Sequence, residues 1–181
     1  YYYNNVVGLV SLLQAMKSAG CNKLVFSSSC TVYGEPEQVP VKESTPTRPA
    51  ASPYGATKQM GEVILKDNTW LEVQCLRYFN PVGAHESSLI GELPLGVPNN
   101  LIPYLTQTVA GIRSQLTVHG GDYNTPDGTC IRDYIHVMDL AEAHVSAIGR
   151  LFNDTTKFAV EKGDPSEGNF EVFNIGTGKG Y

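Results

Sequence analysis

The chain has 181 residues, 41% hydrophobic and 17% charged, with a formal net charge of -5 at pH 7. This composition fits one globular unit with a sizeable core, excludes a disordered tail, and offers no basic run that could follow a nucleic-acid backbone. No apolar stretch approaches the roughly 18 residues of a membrane-spanning helix, and Cys21, Cys30, Cys75 and Cys130 form neither a C-x-x-C pair nor a zinc spacing with histidine, so a metal-free protein of the reducing cytoplasm is expected.

In chain order, Tyr1-Tyr2-Tyr3-Asn4-Asn5 runs, with no initiating methionine, into an apolar helix expected over about residues 5–19. Its stripe is Val6, Val10, Leu13 and Met16, and Gly20 is its stop. Leu24-Val25-Phe26 predicts a short buried strand. Residues 31–51, rich in Pro, Glu and Thr, predict an irregular loop across the carboxyl edge of a sheet. Ser52 as N-cap and Pro53 at the first helical position open a helix to about Lys66, with Tyr54 in its first turn. Residues 71–78 are the next strand. From Asn80 a glycine- and proline-rich loop leads to a helix expected over residues 100–110 and a strand at Leu116-Thr117-Val118, a pattern suited to a substrate lobe. A last helix, over residues 137–152, has Leu140, Ala143, Ala147 and Ile148 as its apolar side; acidic residues 161–167 predict an exposed loop. Residues 170–175 form a strand, and Gly176-Thr177-Gly178-Lys179-Gly180 is the turn leaving it toward a helix. Helices and strands alternate, so the fold class is α/β with a largely parallel sheet, and the two ends suggest an internal piece of a longer fold.

Tyr54 and Lys58, four apart, share one helix face. Moving a phenol from a pKa of about 10 to near 7 needs roughly 4 kcal/mol, and one ammonium about 4 Å away at an effective dielectric of about 20 supplies roughly that amount. Lys58 could therefore make Tyr54 a base at neutral pH, with modest help from the helix N-terminus. Taken alone, Y-x-x-x-K is equally met by a phenol packed on the sheet and a solvated lysine. Ser27-Ser28-Ser29 supplies context by following the buried strand at the edge where open α/β sheets bind ligands. Serine triplets also satisfy turn backbone; beside Tyr54 and Lys58, Ser29 completes a triad.

The motifs Asn4-Asn5-Val6, Phe26-Ser27-Ser28-Ser29-Cys30-Thr31-Val32-Tyr33-Gly34 and Ser52-Pro53-Tyr54-Gly55-Ala56-Thr57-Lys58 are followed by Arg77-Tyr78-Phe79-Asn80-Pro81-Val82-Gly83-Ala84-His85, Pro98-Asn99-Asn100-Leu101-Ile102-Pro103-Tyr104 and Asp127-Gly128-Thr129-Cys130-Ile131-Arg132-Asp133-Tyr134-Ile135-His136-Val137. With them the chain resembles, over nearly all its length, the extended short-chain dehydrogenase/reductase family in its nucleotide-sugar epimerase branch. The resemblance implies an NAD-binding Rossmann-type domain whose C-terminal part is residues 1–80, and a smaller nucleotide-sugar lobe over residues 81–181 with segments returning to the first domain. It implies an NAD-dependent isomerase interconverting UDP-galactose and UDP-glucose. Tyr54 takes the proton of the sugar 4-hydroxyl as the C4 hydride passes to NAD, and the 4-keto sugar turns over to receive it on the other face.

In the same pattern Ser29 bonds the reacting oxygen, and Lys58 holds the nicotinamide ribose and tunes Tyr54. Asn4, Ser27 and Tyr78 line the cofactor. Asn80 and Arg132 meet the diphosphate, where hydrogen-bond donors and charge suit phosphoryl oxygens. Asn100 and Leu101 lie against the sugar nucleotide at a helix N-terminus, and backbone groups around Thr117 and His119 read the uracil. For Arg132 an ion pair with Asp133 or another surface acid is the competing role, and for residues 116–118 an ordinary edge strand.

Four further sequence features bear on this expectation. His85, His119, His136 and His144 show no metal-ligand spacing. The glycine-rich pyrophosphate fingerprint of the family is absent, and Gly176 to Gly180 does not replace it, so NAD binding by this chain alone is expected to be poor. Cys30 stands where the family more often has alanine; a thiol beside the nicotinamide competes with a small buried spacer. A nucleotide-sugar dehydratase needs an acid pair where this chain has Cys30-Thr31, whereas epimerases of uronic or N-acetylated sugars and a non-catalytic NAD-responsive relative remain as alternatives. A homodimer through the first helix and the Tyr54 helix is implied by the resemblance.

Overall fold

A computed structural model describes residues 1–152 and 169–181. In chain order its elements are α1 (Gly8–Ser18), β1 (Lys23–Ser29), α2 (Pro53–Asp67), β2 (Glu72–Tyr78), β3 (Asn80–Val82), α3 (Leu101–Val109), β4 (Tyr134–His136), α4 (Val137–Leu151) and β5 (Phe170–Ile175). A π-helical turn, Tyr3–Val7, precedes α1, and a 3-10 turn, Cys30–Tyr33, follows β1. The expected acidic loop over residues 161–167 lies outside the described residues.

The main sheet has the order β1-β2-β5 and is parallel throughout. Its central strand, β2, is buried on both faces from Val73 to Arg77, as the middle strand of a parallel sheet should be, although it carries the polar side chains Gln74 and Arg77. The register aligns Ser29 with Tyr78 and Tyr78 with Ile175, so three strand ends meet at one carboxyl edge. Just beyond it β3 and β4 form a second parallel pair, with Asn80 opposite Tyr134 and Val82 opposite His136. This pair was not foreseen. Its strands are three residues long and more than 50 residues apart, too short for a periodic signal.

Helix α1 ends in a Schellman motif, in which Cys21 N donates to Met16 O at 2.9 Å and Gly20 adopts φ 67°. Its buried stripe is Leu9, Leu13 and Met16. Val10, expected inside, is exposed, because at about 100° per residue Leu9, Leu13 and Met16 share one narrow face and Val10 stands to its side. These residues pack with Leu65, Leu71, Val73, Cys75 and Phe170 to form the core. At Gly61 helix α2 comes so close to β1 that a β-carbon would stand 2.7 Å from the Phe26 ring.

Several boundaries move. Strand β1 runs on through Ser27, Ser28 and Ser29, which therefore belong to the ladder. The loop after it begins with the 3-10 turn, whose Val32 and Tyr33 are buried. Residues 116–118 form no strand: Thr117 and Val118 are exposed and no described strand lies alongside to share a ladder, without which a three-residue β run has nothing to hold it. In α4 the buried residues are Leu140, Ala147 and Leu151, while Ile148 faces out. Gly176-Thr177-Gly178 is the turn leaving β5, as expected. Beyond it Arg132 and Tyr181 exchange two N–H to O bonds of 2.9 Å.

Candidate functional site

Helix α2 starts as its sequence dictates. Ser52 Oγ accepts from Gly55 N at 3.1 Å and Pro53 occupies the first turn, which sets Tyr54 beside the carboxyl end of β1. Tyr54, Lys58 and Glu62, four residues apart in succession, then face β1 one below another. Lys58 Nζ donates to Ser27 O at 2.7 Å, and Ser28 Oγ donates to Glu62 Oε1 at 2.5 Å. These two bonds fix the height of the helix on the strand.

Ser29 is buried, and its Oγ accepts from Thr31 N at 3.2 Å, so it caps the 3-10 turn. The turn-satisfying reading of the serine triplet therefore holds for Ser29. Ser29 is also close enough to the Tyr54 phenol to act on its proton equilibrium. Burial pushes the Tyr54 pKa above the usual phenol value, and Ser29 pulls it partly back. Burial also lowers Lys58, whose ammonium lies 5.5 Å from the Tyr54 ring centroid and 5.4 Å from that of Phe26. This corrects the expected direction for Tyr54. Lys58 is anchored to a carbonyl and sits over ring faces, not against the phenol oxygen, so desolvation outweighs its attraction and the phenol keeps its proton at neutral pH.

Tyr78 is half-buried at the end of β2. Its Oη lies 2.7 Å from Ser27 Oγ and 2.6 Å from His144 Nε2. Burial raises the Tyr78 phenol, against a lowering by the Ser27 hydrogen bond. Lys58 and Tyr78 therefore converge on Ser27, one on its carbonyl and one on its hydroxyl. Asn4 is exposed on the π-helical turn, whereas its neighbour Asn5 donates to Thr57 Oγ1 at 2.9 Å, pinning that turn to α2.

Asn80 binds inward. Its backbone N and its Nδ2 both donate to Asp133 O, at 3.0 and 2.9 Å. The Asp133 carboxylate accepts from Thr177 N, Thr177 Oγ1 and Gly178 N at 2.7 to 3.0 Å, so it does not pair with Arg132. Gly176 is required here, since a β-carbon would lie 2.7 Å from both Asp133 Oδ2 and Phe79. Arg132 is exposed, and its charge reaches Cys30. Burial nonetheless raises the half-buried Cys30 thiol, with the Ser29 bond and Arg132 opposing, which favours a spacer over a reactive thiolate.

Ser29, Tyr54, Lys58, Ser27 and Tyr78 are thus brought together, with Arg132 near. Asn100, Leu101, Thr117 and His119 are exposed, and among the described residues no hydrogen bond links them to the triad. Asn100 instead donates to Glu92 at 3.4 Å. No group of three or more His, Cys, Asp or Glu in the described residues could hold a metal.

Sequence reasoning missed the support beneath the site. Arg77 grips Glu62 with Nε at 3.0 Å and Nη2 at 2.6 Å, and donates from Nη1 to Tyr33 Oη, which in turn donates to Asn174. This buried ion pair raises the Arg77 pKa through Glu62 despite the opposing cost of burial. The spacing of Glu62 behind Lys58 was the available signal. His144 carried none, since it comes from α4, 66 residues after Tyr78.

The residues fit the nicotinamide end of a dinucleotide. Lys58 spends one of its three N–H groups on Ser27 O and retains donors for ribose hydroxyls, at the strand edge where such cofactors lie.

The NAD dependent epimerase/dehydratase family matches residues 1–176. The chain is 52% identical to a UDP-glucose 4-epimerase of Yersinia enterocolitica, covering 100% of this chain and 51% of that protein. It is 50% identical to UDP-glucose 4-epimerase 1 of Oryza sativa subsp. japonica, covering 99% and 49%. Among solved structures, UDP-glucose 4-epimerase from Bifidobacterium longum in complex with NAD+ and UDP superposes with a TM-score of 0.87 at 45% identity, covering 100% of this chain and 51% of that one. The chain spans about half the length of the curated relatives it matches.

Proposed function

The chain belongs to the NAD dependent epimerase/dehydratase family, and from that premise we propose that it carries the catalytic residues of a UDP-glucose 4-epimerase, interconverting UDP-galactose and UDP-glucose. The observation that carries the reading is the convergence of Ser29, Tyr54 and Lys58 at the carboxyl edge of the parallel sheet. NAD, when bound, accepts the hydride of the sugar C4 and returns it. All other steps belong to this chain's own side chains.

Tyr54 Oη receives the proton of the sugar 4-hydroxyl and gives it back after the sugar has turned over. Ser29, already close to the phenol, hydrogen-bonds the same oxygen and keeps it in line. Because Tyr54 is protonated in the arrangement described, its activation requires a cation nearer its oxygen or a changed set of hydrogen bonds, and the Lys58 ammonium is placed to contribute. Ser27 and Tyr78 wall the nicotinamide side, and Asn4 lies on the entering turn. Arg132 and Asn80 serve the diphosphate, with Asn100 and Leu101 at the start of α3 along the sugar nucleotide, and the backbone near Thr117 and His119 at the uracil. The exposure of these last residues suits groups that find their partners in a ligand.

Residues 1–80 act as part of the NAD-binding domain and residues 81–181 mostly as the nucleotide-sugar lobe. The packing of α4 against β1 and β2, and of β5 on β2, supports the return of segments to the first domain. Exposed Val10 on α1, Val7 at the end of the π-helical turn before it, and Met60 and Val63 on α2 support a homodimer. No helix among the described residues is long and apolar enough to cross a membrane, and a cytoplasmic enzyme is the corresponding proposal.

The test uses the full-length protein with its bound cofactor. UDP-galactose should be converted to UDP-glucose with no added reductant, and Tyr54→Phe should lower kcat about a thousandfold. No interconversion by the wild-type protein, with UDP-N-acetylglucosamine and UDP-glucuronate turned over in its place, would move the assignment to another sugar; inactivity on all three would end it.

A further inference from the structure

We propose that His144 is a positioning residue which bears a proton on Nδ1, accepts the Tyr78 hydroxyl on Nε2 and so fixes Tyr78 and Ser27 at the edge of the site. The inference rests on the proposed function for its catalytic consequence, and on geometry alone for the hydrogen-bond pattern.

His144 Nδ1 lies 2.8 Å from Leu140 O, a carbonyl one turn back on α4. A carbonyl only accepts, so Nδ1 carries the proton. The proposed tautomer leaves Nε2 as an acceptor, and the group facing it at 2.6 Å is Tyr78 Oη. The phenol has one proton to give. Tyr78 Oη stands 2.7 Å from Ser27 Oγ, within reach to donate to the serine; with its one proton pointed at His144 instead, in the proposed arrangement the serine proton makes this contact, since a hydroxyl both donates and accepts. The order is Ser27 to Tyr78 to His144 to the Leu140 carbonyl, with every donor spent away from the site. The rings also meet tilted at 53°, with centroids 5.5 Å apart, so the imidazole braces the phenol sideways.

This has a consequence for the reaction. With both hydroxyls committed, the wall between β1 and β2 offers no free O–H to a ligand oxygen, and proton traffic is left to Tyr54 and Ser29. The Ser27 hydroxyl, held by Tyr78, also steadies the backbone whose carbonyl seats Lys58. Losing the His144 acceptor frees the Tyr78 proton and loosens both groups.

Two measurements on the full-length protein test this. Long-range proton–nitrogen NMR of histidine-labelled protein, with the His144 signal assigned by its loss in His144→Gln, should show a proton on Nδ1 and a bare Nε2. Tyr78→Phe should move the Nε2 signal while leaving Nδ1 protonated. A proton on Nε2, or no response to Tyr78→Phe, overturns the proposal. In kinetics His144→Leu should lower kcat about tenfold, the size of one hydrogen bond, with KM for UDP-galactose changed less than twofold. His144→Gln, which keeps an acceptor near the Nε2 position, should recover activity to within about threefold of wild type. Equal losses in the two variants overturn the positioning role. A wild-type protein that shows the expected tautomer but no epimerisation would sustain the hydrogen-bond pattern and overturn the epimerase reading instead.

Discussion

The contact of α2 with β1 and the stretch over residues 83–130 satisfy their polar groups in opposite ways. In the first, the functional side chains meet groups of another element: Lys58 is tied to Ser27 and Glu62 to Ser28 and Arg77, with Tyr54 close to Ser29. In the second, Asn100, Leu101, Thr117 and His119 stand exposed, and Asn100 reaches only Glu92. The contrast teaches that the proposed catalytic face is built in advance, whereas the proposed nucleotide-sugar face leaves these groups open for a ligand.

The largest effect that can break this comparison lies beneath the catalytic face. Arg77→Leu leaves the buried Glu62 carboxylate without its cation and should cost about 3–5 kcal/mol of stability, read by denaturant unfolding. Adding Glu62→Leu should recover most of that loss. A neutral Arg77→Leu would mean that the pair does not brace α2. Next comes Gly61→Ala, which drives a β-carbon into the Phe26 ring and should cost about 1–3 kcal/mol; retained stability would show that the helix can lift off the strand.

The open face should behave differently. Thr117→Pro removes a backbone donor from an exposed irregular segment, so stability should change by less than about 0.5 kcal/mol, while KM for UDP-galactose rises about tenfold with kcat kept. Unaltered KM would detach this segment from uracil recognition.

The smallest effect concerns acid stability. Arg150, bonded to Glu171, holds that carboxyl below its usual value, so the pair contributes stability present above the unfolded pKa and lost as pH falls through the folded one. Glu171→Gln should flatten the acid limb below about pH 4.5, by about 1 kcal/mol for a partly buried pair at the sheet edge. An unchanged acid limb would show that the pair is not felt.

Much of the catalytic face was legible because its signals are local. The N-cap and proline that start α2, and the four-residue spacing of Tyr54 and Lys58, depend on helix geometry alone. The direction of the Tyr54 shift was not legible, because it depends on burial and on where the Lys58 ammonium comes to rest. The β3–β4 pair, the Asp133 clamp on the Gly176 turn, and the meeting of His144 with Tyr78 join residues about 45 to 66 apart. Nothing in the local pattern marks such partners.

By itself the sequence determined the alternation of helices and strands, the start of α2, and which residue types could form a proton-transferring triad, since propensity, capping and periodicity act over a few residues. Only the tertiary structure decided that Ser27 is shared by Lys58 and Tyr78, that Glu62 is locked by Arg77, and that Tyr54 holds its proton. Those outcomes follow from desolvation and hydrogen bonding between elements distant in the chain, which exist only once the sheet has brought its strand ends to a common edge.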